Sequence, residues 1–438
     1  MLLSRFMQDR CGGVAPMFAL AIIPLIGLTG AAIDYSRAAN VRSGMQAAID
    51  ATALAMAKLA PTLTKSELET KTNAYFQAMF NHPDAKNIVL TPNYSTTGGS
   101  QLTIAVSGSM DTTFMNVLGF SKMDIGSTST VKWGNSRLRV ALALDNTGSM
   151  ADAGKIGALK TATNDLLTQL KNAATTSGDV YVSIIPFNKM VNAGSSNYNQ
   201  SWVDFVDHPS YVGWDKQNGT CSNNNFPTYD ECISKNNKTW TPKAHSTWNG
   251  CVTDRDKPYD VDGSAPTSNA NTKFPAEQYA ECPQPVMGLS YNWTGMTTLV
   301  NNMTPAGTTN QTVGLVWAWM SLTGGGPFTV PAMDANYQYQ KIIILMSDGL
   351  NTQNRWDGTG WSQSSEVDAR MALACNGAKA AGLTIYTIHV NTDGDPTSTV
   401  LRDCATDTSK FYTVTSSSQL STVFTAIGTN LAKLRISN

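Results

Sequence analysis

The first hydrophobic pattern in the chain is an uncharged run near the N-terminus. Val14–Ile33 holds 20 residues without a charge, about the length that crosses a hydrocarbon core of ~30 Å as a helix. Arg5 and Arg10 precede it, so the positive-inside rule predicts a cytoplasmic N-terminus and an extracytoplasmic chain from Asp34 onward. We predict a retained single-pass helix. The alternative is a cleaved signal peptide with Thr29–Ala31 as its small-residue cleavage site.

An alanine-rich stretch, Asp34–Leu59, continues the helical pattern, because it contains a single glycine and no proline. Its small and apolar residues recur in alternating steps of three and four, as on one face of a packed helix. They are Ala38, Val41, Met45, Ala48, Thr52, Ala55 and Leu59. We expect this face to pack on its own domain, and a partner helix is the alternative.

A shorter mixed pattern follows over residues 61–136. Ser66–Phe80 is a predicted helix, and apolar runs bounded by Gly, Ser and Pro-Asn turns predict strands. The predicted strands are Asn87–Leu90, Gln101–Val106 and Ser127–Trp133. We therefore predict a small α+β region here, after a segment, residues 1–60, that comprises a cytoplasmic tip, the transmembrane helix and a helical stalk.

From Arg137 onward, short buried runs alternate with helical periodicity. The predicted strands are Arg139–Leu144, Asp179–Pro186, Lys341–Met346, Leu383–Val390 and Phe411–Val414. The predicted helices are Lys155–Ala173, Thr309–Ser321, Glu366–Ala381 and Ser418–Arg435. Apolar strands followed by crossover helices are typical of a largely parallel sheet with helices on both faces. The prediction for residues 137–438 is thus an α/β fold with a doubly wound sheet.

Roughly residues 190–300 interrupt this alternation. The stretch is rich in Asn, Trp, Tyr, Pro and Gly, lacks helical periodicity, and is too long for a bare loop. We predict a disulfide-linked insertion at the sheet edge where the strands end. Its tryptophans are expected to pack inside it, and a carbohydrate-binding platform is the alternative. They are Trp202, Trp214, Trp240, Trp248 and Trp293.

Composition narrows the classes of function. Hydrophobic residues make up 42% of the 438-residue chain, which is enough for a large core, while charged residues make up 14% and the net charge is -1. No basic stripe exists to neutralise phosphates, so nucleic-acid binding is not expected. Asn, Ser, Thr and Gly take the place of charged residues, a composition typical of cell-surface or secreted proteins.

The cysteines agree with an extracytoplasmic location. Cys11 lies on the predicted cytoplasmic side, which leaves an even number beyond the membrane: Cys221, Cys232, Cys251, Cys282, Cys375 and Cys404. An even number in an oxidising compartment predicts disulfides, and zinc binding is the alternative. We expect Cys375 to pair with Cys404 and the other four to pair within the insertion.

Candidate chemistry is concentrated in three separate segments. Asp145–Ser149 and Ser347–Gly349 each follow a predicted buried strand, and Gly307–Asn310 opens a predicted helix. In parallel sheets, ligands bind beyond the carboxyl ends of the strands. Carboxylates and hydroxyls at that edge are ligands for a hard cation such as Mg²⁺, with Mn²⁺ or Ca²⁺ as alternatives.

The order Asp145-x-Thr147-x-Ser149, Thr309, Asp348 resembles the metal-ion-dependent adhesion site of von Willebrand factor type A domains. The resemblance implies that Ser149 and Thr309 bind the ion directly, that Thr147 replaces a ligating serine, and that both aspartates act directly or through water. It also implies that the open position of the ion attracts an acidic group of a partner protein. In a degenerate site, by contrast, Asp145 merely caps the following helix.

A second resemblance covers the N-terminal segment. Gly13–Leu20, Asp34–Arg37 and Gln46–Ala55 resemble TadG-like components of bacterial Tad/Flp pilus machinery, as do the later runs Asn249–Asp256 and Asp348–Trp356. This resemblance implies an inner-membrane protein with a periplasmic domain whose partners are pilus-assembly components. Prepilins of that system are cleaved after a glycine with a glutamate at the fifth position beyond it. Here Phe18 stands at that position after Gly13, so a permanently anchored accessory protein is expected.

Two other classes of function remain as alternatives. A surface adhesin would bind a host, matrix or glycan ligand through the same metal site. A metal-dependent hydrolase is less favoured, because an aspartyl-nucleophile phosphatase needs a second acid where Thr147 stands. His389 is expected to be a packed residue at the sheet edge rather than a catalytic base. We therefore predict a non-enzymatic protein without a small-molecule substrate.

Overall fold

The computed structural model describes residues 14–96, 99–133, 136–174, 176–335 and 337–436. The chain divides into two compact units, with the boundary between residues 135 and 136.

The first unit is a helix pair on a three-stranded antiparallel sheet. Its elements are α1 (Val14–Ala57), α2 (Lys65–Met79), β1 (Ala85–Ser95), β2 (Ser100–Asp111) and β3 (Lys122–Trp133), with the strands in the order β1-β2-β3. Thr64 begins α2 with a capping box, in which its hydroxyl and the carboxylate of Glu67 satisfy each other's backbone N–H groups. The predicted α+β pattern is confirmed, although each strand extends further than its apolar run.

The face of α1 that carries the small and apolar residues packs on its own unit, as expected. Val41, Met45 and Ala48 are buried against α2 and the sheet, in a core that also contains Phe76 and Val106. Leu59, the last residue of the predicted face, lies just beyond the end of α1 and is exposed. The small residues on this face let the helix lie close to the strands.

The second unit contains the remaining elements. Its strands are β4 (Ser136–Asp145), β5 (Val180–Phe187), β6 (Val191–Asn192), β7 (Val203–Asp204), β8 (Gly219–Cys221), β9 (Trp240–Pro242), β10 (Cys251–Val252), β11 (Phe274–Glu277), β12 (Met287–Ser290), β13 (Gln338–Ser347), β14 (Thr384–Val390) and β15 (Phe411–Val414). Its helices are α3 (Lys155–Ala173), α4 (Trp214–Gln217), α5 (Tyr229–Ile233), α6 (Trp293–Asn301), α7 (Gln311–Thr323), α8 (Ser365–Ala380), α9 (Thr399–Cys404) and α10 (Gln419–Ile436).

The central sheet has the order β12-β5-β4-β13-β14-β15. The pairs from β5 to β15 are parallel, and β12 is antiparallel to β5. Numbered along the chain, these six strands have the doubly wound order 3-2-1-4-5-6. The α/β fold class predicted for this region, a doubly wound and mostly parallel sheet with helices on both faces, is confirmed.

Both faces of this sheet are covered by helices. Alternate side chains of a strand point to opposite faces. Ala141 and Ala143 of β4 therefore pack in the core formed with α7 and α8, while Leu142 and Leu144 pack in the core formed with α3 and α10. Trp317 of α7 is fully buried in the first of these cores. The buried centres of β4 and β13 are thus continuous apolar runs, which is the pattern that predicted these strands.

The insertion extends the sheet instead of forming a separate core. Strands β6, β10, β11 and β7 continue the sheet beyond β5, and Trp214 and Trp248 are buried in the same core as Trp317. The predicted packing role of these two tryptophans is confirmed. The stretch shows no helical periodicity in the sequence, yet it contains the short helices α4 and α5, and α6 (Trp293–Asn301) begins at its C-terminal end.

All three disulfides follow the predicted division of the cysteines. Cys375 on α8 pairs with Cys404 at the end of α9. The other four pair within the insertion, as Cys221–Cys232 and Cys251–Cys282. The zinc alternative is therefore wrong for these cysteines.

Candidate metal centre

Asp145 is the last residue of β4 and lies at the carboxyl edge of the sheet, fully buried. One carboxylate oxygen accepts a hydrogen bond from the backbone N–H of Thr147 at 2.9 Å, and the other accepts one from the Ser347 hydroxyl at 2.5 Å. Burial and the nearby charge of Asp348 raise the pKa of Asp145 to about 7, although both hydrogen bonds act to lower it. Both hydrogen bonds come from neutral groups, so neither of them places a positive charge beside the buried carboxylate of Asp145.

The hydroxyls after β4 connect Asp145 to Asp348. A 3₁₀ turn over Gly148–Gly154 follows the strand. The hydroxyl oxygens of Thr147 and Ser149 are 3.1 Å apart, and the Ser149 hydroxyl donates to Oδ1 of Asp348 at 2.9 Å. Four of the predicted ligands therefore form one hydrogen-bonded cluster, although 203 residues separate Asp145 from Asp348 in the sequence.

Backbone hydrogen bonds hold the third predicted segment beside the first. The N–H of Gly148 donates to the carbonyl of Gly307 at 2.9 Å, and the N–H of Ala306 donates to the carbonyl of Asn146 at 2.9 Å. Gly307 has φ +79°, and a Cβ there would meet polar side-chain atoms at 2.7 Å. Glycine is thus required at this turn by both conformation and space.

Thr309 lies in the loop just before α7, not in the helix itself. Asn310 caps α7 by accepting from the N–H of Val313. The N–H of Thr309 donates to the hydroxyl of Thr352 at 2.9 Å, and its carbonyl accepts from the N–H of Thr352 at the same distance. These bonds tie the Thr309 segment to the loop that follows Asp348. Both bonds involve the backbone of Thr309.

Lys155, the first residue of α3, was missed from the sequence. Its ammonium donates to Oδ2 of Asp348 at 2.9 Å and to Oδ2 of Asp393 at 2.8 Å, and its side chain is 1% exposed. Burial acts to lower the pKa of Lys155, but the two carboxylates raise it above its usual value. In the sequence, Lys155 is visible only as a lysine among apolar helix positions. That pattern does not indicate which carboxylates the lysine contacts. The lysine places a fixed positive charge at the edge of the cluster.

His389 is packed at the end of β14, as predicted. It is buried, and its Nδ1 accepts weakly from the N–H of Ser398 at 3.5 Å. Burial lowers the pKa of His389, although the charges of Asp348 and Asp395 oppose that shift. The ring is consequently neutral at physiological pH.

The insertion contacts the candidate site through a buried carboxylate that was not predicted. Asn310 donates from Nδ2 to both oxygens of Asp254, at 3.0 and 2.9 Å, and the N–H of Arg355 donates to the same carboxylate at 3.2 Å. Burial raises the pKa of Asp254 to about 6, although the bond from Asn310 opposes the shift. The Thr309 loop is thus attached both to the insertion and to the loop after Asp348.

The donor set fits a hard cation. It consists of carboxylates and hydroxyls, and the described ranges contain no group of three or more His, Cys, Asp and Glu side chains positioned to hold a metal. Oxygen donors of this kind suit Mg²⁺, Mn²⁺ or Ca²⁺ and disfavour ions that prefer nitrogen or sulfur. Metal binding by Asp145, Thr147, Ser149, Thr309 and Asp348 stays a prediction.

Comparison with protein families identified a match for the N-terminal segment. Residues 12–58 match the family model for Flp pilus-assembly TadE/G-like proteins. The N-terminal resemblance seen in the sequence is therefore confirmed for this segment, which contains the whole of α1. A comparison with curated proteins found no match.

Solved structures that match the chain include pilus proteins. The pilus adhesin SpaC of Lactobacillus rhamnosus GG has a TM-score of 0.37 and 12% identity, over 81% of this chain and 36% of its own. Proximal thread matrix protein 1 of the mussel byssus has a TM-score of 0.34 and 12% identity, over 69% of this chain and 47% of its own. The von Willebrand domain of the type V pili tip protein Mfa5 of Porphyromonas gingivalis has a TM-score of 0.37 and 10% identity, over 69% and 97%. The chain thus spans less than half of the first two structures. Its fold is assigned from the order and direction of its own strands.

Proposed function

We propose that this chain is a membrane-anchored component of a Tad/Flp-type pilus machinery that binds a partner protein through a divalent cation. The observation that carries the proposal is the joining of Asp145, Thr147, Ser149 and Asp348 in one cluster at the carboxyl edge of the sheet. Ligands of doubly wound sheets bind at that edge. The TadE/G-like match of residues 12–58 supports the pilus context.

The charge of the cluster favours Mg²⁺ binding. Asp145 is a buried carboxyl group whose pKa is raised to about 7 by burial and by the charge of Asp348. A divalent ion would remove this penalty by compensating both carboxylates. Thr147, Ser149 and Thr309 would complete the ligand set with neutral hydroxyls and leave part of the charge of the ion uncompensated. The open coordination position would then attract a carboxylate from the partner.

A binding role is favoured over hydrolysis. Thr147 occupies the position where an aspartyl-nucleophile phosphatase needs its general acid, and it has no ionisable group to transfer a proton. His389 is buried and neutral, and its Nδ1 faces a backbone N–H. Lys155 is engaged by two carboxylates. These groups provide charge and shape at the site, but not an acid–base pair aimed at a substrate.

The apolar part of α1 supports the proposed membrane anchor. Leu20–Ala57 is apolar enough, and long enough, to include a membrane span, and the side chains of Leu20, Leu25 and Leu28 are exposed. Exposed leucines on a helix are stable in lipid and costly in water. We propose a cytoplasmic N-terminus and a periplasmic second unit, because Arg5 and Arg10 precede the apolar run.

Titration calorimetry with MgCl₂ on the detergent-solubilised chain tests the metal site. Asp145→Ala and Asp348→Ala are each expected to abolish the binding heat. Asp393→Ala is the matched control, because Asp393 shares Lys155 with Asp348 but is not a predicted ligand. Circular dichroism checks that every variant is folded. Unchanged binding heat in both ligand variants would refute the site assignment.

Fractionation separates assembly from adhesion. Retention in the bacterial inner membrane, together with Mg²⁺-dependent and chelator-sensitive capture of other pilus-assembly proteins, is expected for the proposed role. Labelling of the second unit on the surface of intact cells would instead favour a surface adhesin.

A further inference from the structure

The loop between β2 and β3 exposes apolar side chains without a charge among them. No charged residue occurs between Asp111 and Lys122. Within this span, Val117 is 85% exposed and Phe120 is 62% exposed, and Leu118 is also exposed. Part of the loop is a 3₁₀ turn, Met115–Leu118. A contiguous apolar tip of this kind marks a contact with another molecule or with a membrane.

The tip is held in place by the first charged residue after the apolar run of α1. The buried carboxylate of Asp34 accepts hydrogen bonds from the backbone N–H groups of Thr113, Phe114 and Met115, at 2.8 to 3.1 Å. Arg37, one turn further along α1, donates to the hydroxyl of Thr113 at 2.8 Å. The loop is therefore a built part of the first unit, attached to the helix.

The tip lies beside the apolar part of α1, on the N-terminal side of Asp34. A Cβ placed on Gly30 would meet the side chain of Phe114 at 2.4 Å, and one placed on Gly27 would lie 3.4 Å from Leu118. Gly27 is six residues before Ile33, where the uncharged run ends. At 1.5 Å per residue the tip reaches about 9 Å along the helix into that run.

We propose that the β2–β3 tip, residues 114–120, inserts into the membrane beside α1 as a second, non-spanning contact with the bilayer. The helix surface around the tip is itself apolar and exposed, including Leu25, Ile26 and Ile33. Lipid around the helix would therefore also cover the tip. A depth of about 9 Å matches the 5–10 Å to which interfacial segments insert.

The charged residues of the β2–β3 hairpin lie at its base, away from the tip that is proposed to enter the membrane. Asp111 and Lys122 lie opposite each other in the strand ladder at the base of the β2–β3 hairpin, and Lys86 forms an ion pair with Asp111. Polar groups at the base and apolar groups at the tip give the loop the amphipathic order of a segment at a membrane surface. A second contact of this kind would fix the tilt and rotation of the first unit on the membrane, which a single helix leaves free.

Site-directed spin labelling tests this inference on the full chain in nanodiscs of phosphatidylethanolamine and phosphatidylglycerol. The background is Cys11→Ser, which leaves the disulfide cysteines. Val117→Cys is the test position, Val89→Cys is the matched control on β1, and Leu25→Cys reports the anchor. Val89 is exposed, like Val117, but lies in a strand. Accessibility to oxygen, which concentrates in lipid, is compared with accessibility to a water-soluble nickel complex.

The inference, which rests on the proposed membrane anchor, predicts that the labels at Val117 and Leu25 favour oxygen several-fold more than the label at Val89. Water-like accessibility at Val117 with a lipid-like Leu25 would overturn the tip insertion and leave the anchor intact. Low accessibility to both reagents at Val117 would indicate a protein partner and would also overturn it. Water-like accessibility at both positions would refute the anchor together with the tip.

Discussion

Raising the pH from 5 to 8 without divalent cations is expected to destabilise the second unit by about 3 kcal/mol through Asp145. The pKa of this carboxyl is raised by burial and by Asp348 to about 7, from an ordinary value of 3.8. A raised folded-state pKa means that the folded protein binds the proton more tightly than the unfolded chain. The stabilisation is complete below pH 3.8 and is lost as the pH rises through 7. Between pH 5 and 7, two pH units at about 1.4 kcal/mol each give the stated magnitude.

The assay is urea unfolding of the fragment 136–438, followed by tryptophan fluorescence at pH 5 and pH 8 in a chelator. Asp145→Asn is the matched variant, because it keeps the size of the side chain and removes the titrating group. Asp254, whose burial raises its pKa to about 6, titrates in both proteins. Its contribution cancels when the two pH dependences are subtracted.

Two results are expected from this experiment. The wild-type fragment must lose about 3 kcal/mol more than Asp145→Asn between the two pH values. Saturating Mg²⁺ must remove most of that difference, because a bound cation stabilises the ionised carboxylate. Equal pH dependence in wild type and Asp145→Asn would refute the assignment of the buried charge to Asp145.

Three further perturbations have defined outcomes. Lys155→Met is expected to raise Mg²⁺ affinity about tenfold by calorimetry, because a competing positive charge is removed from the site. The double change Cys375→Ser, Cys404→Ser opens a bridge with a sequence separation of 29, and it is expected to cost about 3–4 kcal/mol of urea stability relative to the oxidised wild type. Trp317→Ala, which empties a fully buried position, is expected to cost about 3–5 kcal/mol. The exposed control Trp361→Ala is expected to change stability by less than about 0.5 kcal/mol. Equal losses in the two tryptophan variants would contradict the assigned core.

The elements around the site were predictable because each has a local signature. β4 and β13 are buried on both faces, so they appear in the sequence as continuous apolar runs, and their ends locate Asp145 and Ser347. Parallel strands place their carboxyl ends at one edge, which brings Asp348 to Ser149 without any knowledge of the intervening chain. The Cys375–Cys404 pair was also predicted, and in the structure it joins α8 to the end of α9.

The missing parts of the site have no such signature. Lys155 contacts Asp393 across a sequence separation of 238, and Asp254 contacts Asn310 across 56. A pattern along the chain does not encode such contacts. The strands of the insertion are two to four residues long, too short to show alternation. Its sheet extension therefore appeared in the sequence only as a polar, aromatic stretch.

Two features reduce the negative charge that Asp145 and Asp348 bring to the candidate metal site. Near neutral pH, burial keeps Asp145 partly protonated, and the ammonium of Lys155 lies against Asp348. A cation that binds here has to release the proton of Asp145 and share Asp348 with Lys155. Both requirements weaken the affinity and make it rise with pH.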